Sequence, residues 1–180
     1  MSIPKLTVYA VLTAILAFFV TLVTWQMNGW PSAAGTPVTY VSFLSWAAYF
    51  LFGASLKGAI KAYSSMIAGI VAAVLMFVLS LAFGFTPWWA VPLAVAILVI
   101  PMLFCEKVKI VNNVAAIFMA AGIFFSLSPA GAFGDEFNIK SYALVGATVL
   151  IYVFIGFAAG WLTIQFNVFA SKLGAKKGGK

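Results

Sequence analysis

Histidine and arginine are absent from this chain, and cysteine and the acids are nearly so. Cys105 is the one cysteine, so no intramolecular disulfide forms, and without imidazole it belongs to no ordinary metal-ligand set. The acids number three, Glu106, Asp135 and Glu136, and neither they nor any lysine falls inside a long apolar run. Proton relays, voltage sensors and ion-coupled sites usually need an ionisable group within the membrane. That absence argues against a proton-coupled pump, although backbone carbonyls remain able to bind a cation. No nucleophile–base pair and no phosphate-cradling glycine loop is present either, so neither an enzyme nor a cofactor is expected.

What the chain has is apolar surface. Of its 180 residues 65% are hydrophobic and 7% charged, with a mean hydropathy of +1.15. Soluble domains run at about 25% charged. A soluble fold has no interior large enough for this composition, so the class is an integral membrane protein. The net charge of +7 would suggest nucleic acid in a soluble protein. Here the lysines stand near the ends of the apolar runs, and the charge reads as membrane topology instead.

Six runs are candidate membrane helices: Leu6–Gln26, Val38–Gly53, Ser64–Phe83, Trp88–Phe104, Val111–Leu127 and Ser141–Phe166. The first, with a lone Lys5 and no small-residue cleavage site before Trp25, reads as a retained helix rather than a signal peptide. Pro4, Pro31, Pro37, Pro87 and Pro129 punctuate the ends, while Pro92 and Pro101 predict a kink or a ragged end in the fourth helix. Lys5, Lys57, Lys61, Lys107, Lys109, Lys172, Lys176, Lys177 and Lys180 fall in alternate connections or at the termini. The positive-inside rule then places both termini in the cytoplasm, with Trp25, Trp30, Trp88 and Trp89 as an aromatic belt on the other side. Asp135 and Glu136 read as solvated charges of an outer loop, and 171–180 as a flexible basic cytoplasmic tail whose lysines sit near anionic lipid.

The halves resemble each other weakly. Ser65-Met-Ile-Ala-Gly69 and Ser141-Tyr-Ala-Leu-Val-Gly146 open the third and sixth runs, Val74–Phe77 stands over Leu150–Val153, and Gly84 over Gly160. Ala47-Ala48 stands over Ala120-Ala121, and Phe52 over Phe125. Three spans per unit would make the units an inverted repeat, with halves at about 1–84 and 88–168 of a single domain covering 1–170. The expected fold is therefore an all-α bundle of six transmembrane helices, with the second and fifth as the inner pair.

The polar side chains left for a function are neutral. Ser42, Ser45 and Tyr49, spaced three and four apart, share one face of the second helix, with Trp46 beside them. The ordinary account of such hydroxyls is a bond back to a carbonyl one turn earlier, or a join between helices. Gly156-Phe-Ala-Ala-Gly160 likewise reads as close helix packing. A buried indole N–H and phenol O–H still need partners, and one shared polar stripe satisfies them together. That stripe points to a conduit for a small neutral solute, lined by Ser42, Ser45, Trp46 and Tyr49 with Asn113, Phe118, Gly122 and Phe125 of the fifth helix.

The stretch FLSWAAYFLFGASLKG (43–58), with Ser45, Trp46, Ala47, Tyr49, Phe50 and Gly53, and the later PMLF…NNVAAIFMAAGIFF resemble the family of bacterial inner-membrane proteins typified by YcdZ, a domain of unknown function. The resemblance implies an inner-membrane protein of several spans and no particular substrate. In architecture alone the chain is similar to the small urea and amide channels of the acid-gated urea channel family. The expectation carried forward is passive permeation of urea, a short amide, ammonia or carbon dioxide through a homo-oligomer in contact with membrane lipid. The alternative is a non-catalytic structural or assembly subunit.

Overall fold

In the computed structural model, residues 2–32, 37–84, 87–128 and 138–173 are described. Asp135, Glu136, Pro129, Lys176, Lys177 and Lys180 lie outside them. Among the described residues the chain forms six α-helices: α1 (Ile3–Met27), α2 (Thr39–Leu51), α3 (Leu56–Ala82), α4 (Ala90–Phe104), α5 (Val114–Leu127) and α6 (Ile139–Lys172). A 3-10 turn, Cys105–Lys107, extends α4 one turn beyond Pro101, the ragged end that proline predicts. Four helices are long and apolar enough to cross a membrane: α1, α3, α6, and α4 together with its 3-10 turn. The other two are short. α2 has 13 residues and α5 has 14, which at about 1.5 Å per residue gives about 20 Å, against a hydrocarbon core of about 30 Å.

Two boundaries differ from the sequence expectation. Lys57 and Lys61, expected in a connection, lie on the first turns of α3, because Ser55 caps the helix ahead of them and accepts from Gly58 N at 3.1 Å. The α2–α3 connection is correspondingly tight. Gly53 and Ala54 take positive φ values of 99° and 46°, and a Cβ on Gly58 would strike the carbonyl of Phe52. α6 runs 34 residues to Lys172, through the start of the segment read as a tail.

The centre of the molecule is α3 against α6, not α2 against α5. Tyr63 donates to Leu150 O (3.2 Å) and Phe77 stacks near Tyr142, so α3 and α6 run antiparallel. α2 lies along α6 and runs parallel to it: Ser42 meets Tyr152 and Trp46 meets Thr163. α5 lies along α3, also parallel, with Asn113 against Ser65 and Phe125 against Phe77. α1 packs antiparallel on α6, where Lys5 Nζ donates to Ser171 O at 2.7 Å, and α4 packs on α3. The helix directions gather Lys5, Lys57, Lys61, Lys107, Lys109 and Lys172 at one end, and Trp25, Trp30, Trp88 and Trp89, with Lys140, at the other. All four of those tryptophans are exposed.

Candidate functional site

The face of α2 that carries Ser42, Ser45, Trp46 and Tyr49 is buried, as its three- and four-residue spacing requires, and its partner is the glycine face of α6. A Cβ on Gly156 would run into Ser45 Oγ and the Ser42 carbonyl and stand 2.8 Å from Trp46 N. A Cβ on Gly160 would stand 2.7 Å from the Tyr49 ring. Only glycine lets the two backbones approach this closely. The two serine hydroxyls and the indole in the seam then find partners. Ser42 Oγ donates to Tyr152 O (3.0 Å), Ser45 Oγ to Val41 O (2.7 Å), and Trp46 Nε1 to Thr163 Oγ1 (3.0 Å), which itself donates to Ala159 O (2.8 Å). The stripe is a packed helix–helix seam in this conformation, with no lumen along it.

The fifth-helix candidates stand elsewhere. Asn113 caps α5, its Oδ1 accepting from Ala116 N (3.1 Å) while its own N–H donates to Ser65 Oγ (3.1 Å). Phe118 is exposed, and a Cβ on Gly122 would meet nothing within 4 Å. Phe125 packs on Phe77, ring centroids 4.8 Å apart. The structure therefore does not gather these four around one path with the α2 stripe. Among the described residues the two short helices are joined by a hydrogen bond between Tyr40 OH and Ser126 Oγ at 2.6 Å.

A neutral polar cluster that the sequence reading did not assemble lies where α1 leads into α2. Tyr152 OH accepts from Gly29 N (3.1 Å) and donates to Thr24 O (3.3 Å). Thr148 Oγ1 accepts from Ser32 N (3.1 Å), and Thr24 Oγ1 lies 3.0 Å from Thr39 Oγ1. Thr24, Thr148 and Tyr152 are fully buried. Thr24 and Thr148 were visible as polar positions, but Tyr152 sits in the apolar run Leu150–Phe154 and nothing local marks it. We expect Tyr152→Phe to cost about 2 kcal/mol, because it orphans a buried N–H and a buried carbonyl at once. A lowered thermal midpoint, with faster amide exchange confined to residues 28–32, checks this.

The second half holds a matching arrangement. A Cβ on Gly69 of α3 would strike the carbonyl of Ile117 and stand 2.9 Å from its carbon and 3.1 Å from Ala120 Cβ. Gly69 thus meets positions i and i+3 of α5, as Gly156 meets positions i and i+3 of α2. The backbone N–H of Asn113, at the N-cap of α5, donates to Ser65 Oγ of α3, and that of Gly29, just after α1, donates to Tyr152 OH of α6.

No curated protein and no solved structure matches the chain. The sequence model of the family described as "Protein of unknown function (DUF1097)" matches residues 10–167, from within α1 to within α6. The match takes in both short helices and both glycine crossings, and the chain belongs to that family.

Proposed function

We propose that the protein is a passive facilitator for a small neutral solute such as urea, a short amide, ammonia or carbon dioxide. It would cross the membrane six times as two inverted three-helix halves, with both termini and the lysine end in the cytoplasm. The observation that carries this reading is the pair of short helices. α2 and α5 hold corresponding places in the two halves, and each docks by a glycine on the long helix of the other half. Short or interrupted spans in corresponding places are the best structural pointer to a solute site in repeat-built transporters. The same exchange of partners supports the repeat itself, in a register that pairs Gly69 with Gly156 rather than with Gly146. Six lysines at one end, against Lys140 and four tryptophans at the other, support the orientation.

The solute's route would follow the α2–α6 seam, closed as described, and open by a slide of α2 over the smooth face at Gly156 and Gly160. Ser42 and Ser45 hydroxyls and the freed carbonyls would replace the solute's hydration. Ions would find no compensating charge there. Stopped-flow light scattering of proteoliposomes tests the proposal with urea first, then acetamide, glycerol and ammonium gradients. The expected result is flux above that of empty liposomes, without saturation and with weak temperature dependence. Trp46→Phe and Tyr49→Phe, which keep the rings, are expected to change the rate or the order of preference among solutes.

One observation favours a second reading. The Ser42 and Ser45 hydroxyls and the Trp46 indole are satisfied within the chain, as they would be in a non-catalytic assembly subunit that has no need of a path. Absence of flux for all four solutes, together with co-purification of one other membrane protein, would establish that alternative. A stable homo-oligomer with flux would exclude it.

A further inference from the structure

α2, α3 and α6 leave a cleft of about 590 Å³ on the outside of the bundle near its lysine end, walled by Tyr49, Ile60, Tyr63, Phe154, Phe157 and Trp161. Its size falls among pockets that take small ligands, about 300–1,000 Å³, and its walls are almost wholly apolar. We infer that this cleft binds an anionic glycerophospholipid, with one acyl chain along the aromatic wall and the phosphate at Lys57 and Lys61. The inference rests on the chain's lying in a membrane and is independent of solute permeation.

The charge arrangement argues for this occupant. Lys57 and Lys61 stand one turn apart on α3, on the side that carries Ile60 and Ser64. Both are exposed, and neither ammonium group has an ion pair or a hydrogen bond among the described residues. The polar groups free at the cleft are donors. The Trp161 indole N–H and the Tyr49 hydroxyl have no hydrogen-bond partner among the described residues, whereas Tyr63 OH is committed to Leu150 O and Ser64 Oγ to Ile60 O. Two ammonium groups on the rim of the cleft, with an indole and a phenol in its wall, form a donor set, and a phospholipid offers acceptors to match, its phosphate and its ester oxygens. Basic pockets between membrane helices take anionic head groups in this way. A second copy of the chain fits less well. A dimer axis along the membrane normal through this face would set Lys57 and Lys61 against their own counterparts, a like-charge contact with no acid among the described residues of the cleft to offset it.

The test uses the full chain in phosphatidylcholine vesicles that carry a minority of brominated phosphatidylglycerol or, in parallel, of brominated phosphatidylcholine. Quenching at Trp161 is read as the difference between the wild type and Trp161→Phe. We expect phosphatidylglycerol to be preferred about tenfold, from about 1 kcal/mol per lysine near the surface with partial screening. Lys57→Gln combined with Lys61→Gln should bring the two lipids level, and high salt should do so in part. Equal quenching by both lipids in the wild type would overturn the inference, and so would a preference that survives the double substitution. Trp161 shielded from both lipids in a stable dimer would also overturn it, assigning the cleft to a second copy.

Discussion

Gly156→Ala is expected to cost about 3 kcal/mol or more, through a single added methyl. The new carbon would meet Ser45 Oγ, the Ser42 carbonyl and the Trp46 amide nitrogen. Two of these are backbone atoms of a helix and cannot swing aside as a side chain tip would, so α2 must lift off α6. Overpacking of a well-filled interior costs about 1–3 kcal/mol, and more where backbone must move. Gly69→Ala should behave alike, because its obstacle is the Ile117 carbonyl group. Gly160→Ala should be costly as well, since Tyr49 Cβ stands 2.7 Å from the new carbon beside the ring and moves only with its backbone. Gly122→Ala is the control. Its Cβ would enter open space, and alanine's better helix propensity makes it neutral or stabilising by up to about 1 kcal/mol. Thermal unfolding of the detergent-solubilised variants, followed by size-exclusion chromatography, orders all four. Equal midpoints for Gly156→Ala and Gly122→Ala would refute the close α2–α6 approach.

The second large effect is expected at Trp46. The indole is 7% exposed, stacks near Phe43 with centroids 5.9 Å apart, and donates to Thr163. Trp46→Ala empties that volume and should cost about 3 kcal/mol, the low end for such truncations, because lipid and protein interior are similarly apolar and only packing is lost. Trp46→Phe keeps most of the volume and removes the donor, so about 1 kcal/mol is expected. Thr163→Val should cost a similar amount, and the double variant no more than either alone if the two act through one bond. Full additivity in that cycle would mean that the bond contributes nothing.

Hydropathy located all six helices, because each is an apolar run bounded by proline, glycine or lysine. It misplaced the start of α3. Hydropathy senses where charge begins, whereas a helix begins where its first N–H groups find an acceptor, and here Ser55 supplies one nine residues before the apolar run. Length decided what hydropathy could not: α2 and α5 are mostly apolar yet, at 13 and 14 residues, shorter than a hydrocarbon core. The α2 stripe was legible as a buried face, since Ser42, Ser45 and Tyr49 recur at helical spacing. Its partner was not. Spacing says that a face is covered and leaves open by what, and the covering surface, Gly156 and Gly160, was readable only as a packing motif without an address. For the same reason Gly69 was set against Gly146, its sequence match, when its counterpart in packing is Gly156. The cluster at Tyr152 was hidden more deeply, because it joins the 28–32 turn to α6 across more than a hundred residues.

The exchange of long helices between the halves also bears on how the chain is made. α5 emerges after α3 and has its docking surface waiting. α2 does not: the Tyr152 carbonyl that accepts from Ser42 lies 110 residues further along, and at about 5–20 residues per second its synthesis takes on the order of ten seconds. Throughout that interval the Ser42 hydroxyl and the Trp46 indole, whose acceptors lie on α6, stand without their partners. The first half of the protein is thus an unfinished intermediate on the ribosome, completed by the last helix to arrive.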